Sequence, residues 1–345
     1  MGYRVGVVGV GPVGDRIIRV LRERSFPVDE IVVMATRERT EVLADEEFLV
    51  REVAAEHFQG LDVVFFAGRE GAKGASVQWG AVATDAGAWA IDNGSDFRME
   101  CGYSLIVPEV NMDAVSTENR HICSPNCSTI QMVVAIAPIH RAVGIKRIVV
   151  STYQSVSGWG LAAMDEFEGQ VQQYAAGEEI EFDPGIFDRP IAFDCLPRID
   201  AFLEDGYTKE EMKMVHETRK IMGEPGLAIT ATTVRVPVVI GHSEAINLEL
   251  ERPLARAEAL EILRDPQQSP GVTVIDDPED KRYPTQADCL LDEHQDAVLV
   301  GRVREDASVE NGLNLWCVSD NLRKGAALNA VQIAEVLGNR CLRKG

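Results

Sequence analysis

The chain has 345 residues, of which 46% are hydrophobic and 26% are charged, a composition typical of a globular protein with a sizeable core. Its 55 Asp and Glu residues outnumber 34 Lys and Arg residues, which gives a net charge of −21. This acidity argues against nucleic acid or an anionic membrane as a partner. The first residues do not resemble a signal peptide, and the longest apolar stretch, 132–139, is too short to cross a membrane. We therefore expect a cytoplasmic protein.

The first part of the chain alternates apolar strand patterns with helical patterns. Strands are predicted over residues 3–10, 30–35, 63–67 and 89–92, and a helix over 16–24 follows the first strand. This alternation predicts a parallel α/β sheet with right-handed crossovers.

After about residue 127 the pattern becomes richer in strands. Strands are expected at 147–153, 227–237, 244–251, 298–304 and 313–318. Helices are expected at 161–176, 208–222, 254–264 and 325–337, and the prolines and glycine of 178–190 indicate a loop. The fold class is thus α/β, with a second, α+β domain that contains a mixed or antiparallel sheet.

A glycine-rich turn follows the first strand and precedes the first helix. It reads Gly9-Val10-Gly11-Pro12-Val13-Gly14. Glycines in this position let backbone N–H groups approach a pyrophosphate at the helix N-terminus. In the strand–turn–helix context the motif predicts a dinucleotide site, whereas alone it would indicate only a tight turn.

The second predicted strand is followed by Thr36, Arg37, Glu38, Arg39 and Thr40. Hydroxyl groups and arginines suit the 2′-phosphate of NADP, whereas NAD sites usually carry an acid that binds the ribose. The sequence therefore favours NADP. Glu38 argues the other way, and a solvated charged turn is the alternative interpretation.

The seven cysteines are scattered and odd in number, which predicts reduced thiols without a disulfide framework. Cys123 and Cys127 are four residues apart, but no second Cys or His pair lies nearby in sequence, so no metal site is expected. Cys123 stays unassigned. Five others are interpreted as small buried apolar residues: Cys101, Cys195, Cys289, Cys317 and Cys341.

Cys127 stands in a polar turn, Ser124-Pro-Asn-Cys-Ser-Thr129, that leads into an apolar helical pattern. A thiol at a helix N-terminus lies at the positive end of the helix dipole, which favours the nucleophilic thiolate. Such a nucleophile needs a proton-transfer partner. His242 is the most distinctive histidine, because it lies at a predicted strand end between glycine and serine, and Arg235 precedes it on the same segment.

Several longer segments resemble the aspartate-semialdehyde dehydrogenase family nearly end to end. They are residues 7–14, 92–98, 107–111, 125–129, 151–158, 196–200, 206–213, 235–244 and 320–335. The chain departs from the family pattern in its glycine loop, in the turn at 36–40, in the segment 66–71 and at Asp194.

The resemblance implies a role for each matching residue. Cys127 would be the nucleophile, His242 the acid/base, and Gln154 would help to hold the thiol and substrate. Arg235 and Glu211 would bind the carboxylate and ammonium of the aspartyl group. The phosphate would be held by Arg98, Asn126 and Lys213. The cofactor NADP would be bound by Gly9, Gly11, Pro12, Val13, Gly14, Thr36, Arg37, Arg39, Thr40, Ser157, Gly158 and Asn321.

The resemblance also implies reversible NADPH-dependent reduction of 4-phospho-L-aspartate to L-aspartate 4-semialdehyde and phosphate, without a metal, in lysine, threonine, methionine and diaminopimelate biosynthesis. It implies a Rossmann-like NADP-binding domain (1–127 plus the helix 326–345), a catalytic and dimerisation domain (128–325), and a homodimer or homotetramer. Two alternatives stay open. One is N-acetyl-gamma-glutamyl-phosphate reductase, and the other is a non-catalytic paralogue that acts as an interaction protein.

Overall fold

The computed structural model describes residues 2–68, 71 and 73–340. Two compact units form, one from residues 2–126 with 325–340 and the other from Cys127–Lys324. Arg69 and Glu70 of the divergent segment 66–71, and Cys341 with the rest of the C-terminal residues, lie outside the described part of the chain.

The first unit contains an eight-stranded sheet in the order β3-β4-β2-β1-β5-β6-β8-β7. All neighbouring strands are parallel except β3 and β4, which form an antiparallel pair. The strands are β1 Tyr3–Val8, β2 Val28–Ala35, β3 Arg39–Leu43, β4 Glu46–Glu52, β5 Val63–Phe66, β6 Trp89–Asp92, β7 Ser104–Leu105 and β8 His121–Cys123. The predicted Rossmann-like parallel sheet is confirmed. The β3–β4 pair was not predicted, because its many charged residues hide the strand pattern.

Helices cover both faces of this sheet. They are α1 Pro12–Glu23, α2 Ala75–Asp85, α3 Pro108–Asn111 and α8 Leu328–Arg340. One core cluster joins α1 and α8 to one side of β1 and β5, and a second surrounds Met34, Phe58 and Phe66 on the other side. A helix from the end of the chain therefore completes the core of a unit built from its beginning.

The second unit contains a mixed six-stranded sheet in the order β10-β9-β11-β14-β13-β12. Its strands are β9 Ile145–Gln154, β10 Ala228–Arg235, β11 His242–Leu250, β12 Val272–Val274, β13 Val298–Asp306 and β14 Gly312–Ser319. Its helices are α4 Cys127–Val143, α5 Leu161–Ala176, α6 Lys209–Met222 and α7 Arg256–Arg264. This confirms the predicted mixed sheet. The loop predicted over 178–190 contains neither helix nor strand.

The strand directions bring distant residues to one edge of this sheet. Parallel strands β9 and β10 end side by side at Gln154 and Arg235, which are paired in the register. The antiparallel strand β11 begins next to them at His242. His242 therefore begins a strand, whereas the sequence placed it at a strand end. No helix among the described residues is long and apolar enough to cross a membrane.

Candidate active site

Cys127 is the first residue of α4, and its side chain is half-buried. The first turn of a helix carries N–H groups without intrahelical acceptors and the positive end of the dipole. The Arg235 guanidinium adds a second positive influence, because it interacts electrostatically with the Cys127 thiol. Both factors stabilise a thiolate at this position.

Gln154 fixes the start of α4 against the end of β9. Its buried side-chain amide donates to Ser128 Oγ at 2.7 Å and approaches Glu210 Oε1 at 3.3 Å. Ser128 directly follows Cys127, so Gln154 links the nucleophile's own helix turn to an acidic group on α6.

Arg235 is buried at the end of β10, and its Nη1 donates to the backbone oxygen of Ser155 at 2.6 Å. Burial lowers the pKa of this guanidinium, while the negative charges of Glu210 and Cys127 oppose that shift. A buried arginine held by one nitrogen keeps other N–H donors in its fork, which is the geometry that binds a carboxylate in two-pronged fashion.

His242 is fully buried, and its ring orientation is set by Ser155. The Ser155 backbone N–H donates to His242 Nδ1 at 3.1 Å. Because a backbone N–H can only donate, Nδ1 must carry the lone pair, and the proton of the neutral ring resides on Nε2. Burial, reinforced by the nearby Arg235 charge, lowers the pKa of His242 to about 3. The ring is thus neutral at physiological pH.

The Nε2 atom of His242 has no hydrogen-bond partner among the described residues. A buried donor without a partner is costly, so such groups are typical of positions that bind a ligand. Gly158 leaves room beside it: a Cβ added there would lie 3.3 Å from His242 Nε2 and 3.1 Å from Arg235 Nη1. The histidine and the arginine therefore face the same small space.

A buried polar network lies behind His242. Asn321 Oδ1 accepts from the Gly241 N–H at 2.9 Å and from Ser155 Oγ at 3.0 Å, while Asn321 Nδ2 donates to Ser157 Oγ at 3.0 Å. Ser157 and Asn321, which the resemblance assigned to the cofactor, are here part of the support of the histidine. Ser155 was missed from sequence, because its role lies in contacts of its backbone N–H and its Oγ with His242 Nδ1, each at 3.1 Å, which only the folded chain brings about.

Glu211 and Glu210, adjacent on α6, have different environments. Glu211 accepts from the backbone N–H groups of Thr208 at 2.7 Å and Thr233 at 3.1 Å, so both its oxygens are used to cap α6 and join it to β10. Glu210 instead lies against Gln154 and interacts with Arg235. The acid that meets the other site residues is therefore Glu210, whereas the sequence-based choice, Glu211, lies in the helix cap.

Lys213 lies one helical turn beyond Glu210. Its Nζ is 3.2 Å from Glu210 Oε2 and 3.2 Å from Asp200 Oδ2. The second unit therefore brings together most of the predicted substrate and catalytic residues. Within it, the negatively charged Glu210 interacts with the positively charged Arg235 and Lys213.

Two further predicted phosphate ligands, Arg98 and Asn126, belong to the first unit, and both are buried. Arg98 Nη2 donates to the Asn93 backbone oxygen at 2.7 Å, which anchors the guanidinium just beyond the end of β6. Asn126 is the last residue before α4.

The glycine loop has the shape that a dinucleotide needs. Gly9 has φ of 116°, a left-handed conformation that favours glycine, and a Cβ on Gly14 would lie 2.0 Å from the Gly9 carbonyl oxygen. Around Gly11 there is open space, and no side chain caps α1. Pro12 begins the helix, so the N–H groups of Val13 and Gly14 lie in its first turn, where they have no intrahelical acceptor and a phosphate can accept from them.

The candidate ligands of a 2′-phosphate, which follow β2, differ in exposure and in ion pairing. Thr36, Arg37 and Thr40 are exposed, whereas Arg39 lies in β3 and pairs with Glu41 at 2.6 Å. Arg37 forms no ion pair within the described residues. Of the two arginines, Arg37 is the one whose guanidinium is available to a ligand.

Two family models and several curated proteins match this chain. The model of the semialdehyde dehydrogenase NAD binding domain matches residues 4–118, and that of the semialdehyde dehydrogenase dimerisation domain matches 136–324. The chain is 46% identical to the aspartate-semialdehyde dehydrogenase of Aquifex aeolicus over 98% of both chains, and 45% identical to aspartate-semialdehyde dehydrogenase 2 of Vibrio cholerae over 97% of both.

The chain belongs to the aspartate-semialdehyde dehydrogenase family.

Solved structures of this family have the same fold. Aspartate semialdehyde dehydrogenase II from Vibrio cholerae superposes with a TM-score of 0.91 at 42% identity, covering 99% of this chain and 100% of the other. A structure of that enzyme complexed with ASA gives a TM-score of 0.90, also at 42% identity, covering 99% of each chain.

The cysteines of this family member have contrasting environments. Cys289 and Cys317 are buried, as predicted, and burial raises the pKa of Cys289 to about 12 and that of Cys317 well above its ordinary value. The prediction was wrong for Cys101 and Cys195, which are exposed. Both lie in irregular segments, where no apolar periodicity places a side chain inside.

Proposed function

We propose that this chain catalyses the reversible, NADPH-dependent reduction of 4-phospho-L-aspartate to L-aspartate 4-semialdehyde and phosphate. The observation that carries the proposal is the position of Cys127 at the start of α4, where Arg235 interacts with its thiol and also influences His242. A nucleophile, a hydrogen-bond donor and a carboxylate-binding cation thus lie in one site.

In the proposed reaction the Cys127 thiolate attacks the acyl carbon of the phosphoanhydride, the C–O bond to phosphate breaks, and a thioester forms on Sγ. NADPH supplies a hydride to the thioester carbon when bound. The neutral His242 ring keeps its proton: its Nε2–H donates a hydrogen bond to the oxygen that becomes negative, and this stabilises the oxyanion until the C–S bond breaks. The products are the aldehyde and the regenerated thiolate.

Arg235 and Glu210 suit the two charged groups of the aspartyl moiety. We assign the α-carboxylate to the Arg235 guanidinium and the α-ammonium to the Glu210 carboxylate. Lys213 balances the charges of Glu210 and Asp200. In the first unit, Arg98 and Asn126 are assigned to the phosphate, because one is a buried cation and the other a buried amide donor.

We further propose NADP over NAD as the cofactor. The open glycine loop at Gly9, Gly11 and Gly14 supports pyrophosphate binding by backbone N–H groups. Exposed Arg37, with Thr36 beside it, supports contact with the 2′-phosphate. Ser157 and Gly158 stay candidates for the nicotinamide end, since they adjoin the His242 network.

We also propose that the chain functions as a homodimer, through the face of the second sheet that its helices leave open. Half-buried side chains alternate along β9, β11 and β14, and include Tyr153, Ala245, Asn247 and Trp316. The rings of Tyr153 and Trp316 lie 5.3 Å apart. A small, partly aromatic surface of this kind suits a second copy related by a twofold axis. Light scattering of the purified chain would distinguish a dimer from a tetramer.

The test of the main proposal is activity with L-aspartate 4-semialdehyde, phosphate and NADP, compared with N-acetylglutamate semialdehyde under the same conditions. We expect turnover of the first substrate only. Cys127→Ser should lower kcat by several orders of magnitude, about the scale of losing a nucleophile, and should leave cofactor binding unchanged. A mass spectrum of the quenched wild-type enzyme should place the aspartyl group on Cys127. An acyl group on another residue, or activity close to wild type in Cys127→Ser, would contradict the mechanism.

A further inference from the structure

A second cluster of reactive side chains lies in the first unit, at the carboxyl ends of β6 and β8. Asp92 ends β6, and His121 and Cys123 are the first and last residues of β8. The register pairs Asp92 with Cys123 across the two parallel strands. Side chains two residues apart on a strand share a face, so His121 and Cys123 lie on the same side of the sheet.

The three donor groups converge. One ligand atom from each of Asp92, His121 and Cys123 lies within 4.8 Å of the other two. His121 Nε2 and Asp92 Oδ2 are 3.3 Å apart. Two ligands about 2.0 Å from a tetrahedral ion, the usual zinc–nitrogen or zinc–oxygen distance, are separated by about this amount.

The cluster is enclosed by the protein. Asp92 is 1% exposed, His121 4% and Cys123 0%. The His121 ring packs against Phe97 at 4.9 Å and Tyr103 at 5.1 Å between ring centroids. The second oxygen of Asp92 accepts from the Gly94 N–H at 2.8 Å, which orients the carboxylate and leaves Oδ2 toward the imidazole. Oriented ligands of this kind are typical of metal sites.

The chain makes room for the imidazole with a glycine in α2. A Cβ on Gly80 would lie 2.7 Å from His121 Cε1 and 2.9 Å from Nδ1. Glycine inside a helix is less favourable than alanine, so the space for the ring lowers the stability of the helix.

We propose that Asp92, His121 and Cys123 form a binding site for a borderline-soft divalent cation of the zinc class. The donor set of one thiolate, one imidazole and one carboxylate is typical of zinc, and three protein ligands leave a fourth position for water. Binding would displace the Cys123 thiol proton to solvent. The ion would join the ends of β6 and β8, next to the segment that leads from Cys123 to Cys127. The sequence pointed only to Cys127 as a neighbour of Cys123, and the strand pairing supplies the other ligands.

The experiment uses the full chain with Cys127→Ser, because the catalytic thiol is a competing zinc ligand. The protein is stripped with a chelator, titrated with Co²⁺ and then with Zn²⁺, and analysed for bound metal after gel filtration. We expect about one ion per chain, a thiolate-to-Co²⁺ absorption band that zinc abolishes, and a metal-dependent rise in Tm. No bound ion, or a band without retained metal, would overturn the proposal.

When Cys123→Ala or His121→Asn is added to the Cys127→Ser protein, stoichiometric binding of the metal ion should be lost. The matched control is Cys289→Ala, which removes a buried thiol of the second unit and should bind the ion as the parent does. If Cys123→Ala does not fold, as judged by NADP binding, Cys123→Ser replaces it and should lack the thiolate band. Gly80→Ala, which crowds the ring, should weaken Co²⁺ affinity at least about tenfold by misplacing one ligand of the set. Equal binding by the parent and by Cys123→Ala would show that the ion sits elsewhere.

Discussion

The backbone N–H of Ser155 donates to Nδ1 of His242 at 3.1 Å, and this single contact decides where the histidine carries its proton. Its position is fixed by the strand ends, since Ser155 directly follows β9 and His242 begins β11. The outcome is an Nε2–H donor directed at the space beside Gly158 and Arg235.

Removal of that N–H should allow the proton of the His242 ring to move from Nε2 to Nδ1. Ser155 has φ of −65°, which proline adopts without strain, so Ser155→Pro deletes the donor with little change in backbone. We expect kcat to fall by about 10²–10³-fold, the usual loss when a donor to a developing oxyanion is removed. Ser155→Ala keeps the N–H and removes only the hydroxyl, which contacts Nδ1 and Asn321 Oδ1, so it is the control for the side chain, with kcat expected within about tenfold of wild type. Nitrogen NMR of the labelled histidines should show Nε2–H for His242 in wild type and Ser155→Ala; an Nδ1–H signal there would refute the assignment.

Substitution of Glu210 should mainly affect substrate binding, whereas substitution of the adjacent Glu211 should mainly affect stability. Glu210→Gln removes the proposed ligand of the substrate ammonium, so KM for the semialdehyde should rise roughly ten- to a hundredfold, the value of a charged hydrogen bond. Glu211→Gln leaves one of the two buried N–H groups of Thr208 and Thr233 poorly paired and should lower the free energy of unfolding by about 1–3 kcal/mol. Steady-state kinetics and urea unfolding of both variants check this. The reverse pattern would restore Glu211 to the substrate site.

Cofactor choice should depend on Arg37. Arg37→Ala should raise KM for NADP by about tenfold or more, through loss of a charge-assisted contact with the 2′-phosphate, and should leave KM for NAD nearly unchanged. Arg39→Ala, which removes the pair with Glu41 and a 3.3 Å hydrogen bond to the Arg37 backbone oxygen but leaves the Arg37 guanidinium in place, serves as the control. Equal effects of Arg37→Ala on both cofactors would remove this residue from the 2′-phosphate site.

The buried Glu244 should make the free energy of unfolding smaller at alkaline pH. It is fully buried below the active-site edge of β11, and burial raises its pKa from 4.5 to about 8. The folded chain therefore holds a proton that the unfolded chain loses between pH 4.5 and about 8, so the free energy of unfolding falls as pH rises through that window.

Glu244→Gln, which cannot ionise, should weaken that decline. Its Tm should exceed that of wild type at pH 9 and be similar near pH 5. Calorimetry across this range measures both proteins, with Glu249→Gln on the same strand as a half-buried control. A wild-type Tm that stays flat between pH 5 and pH 9, with no gain in the variant, would show that Glu244 is ionised in the folded protein.

Much of this protein is determined by its sequence alone. Buried strands, the glycine turn and the helix start at Cys127 are local features, because apolar periodicity and turn residues act over a few neighbours. The longer segments around Cys127, Arg235 and His242 were sufficient to suggest the chemistry. Charged strands β3 and β4 were missed, since their apolar residues are too few for a period to be read.

Tertiary structure decided which atoms meet. Choosing Glu210 over Glu211 depends on the side of α6 that faces Gln154, and choosing Arg37 over Arg39 depends on the antiparallel pairing that places Glu41 beside Arg39. The His242 tautomer depends on the backbone N–H of Ser155, the residue that directly follows β9. Sequence patterns constrain neighbours along the chain, whereas these contacts join residues that only the packing of strands and helices brings together.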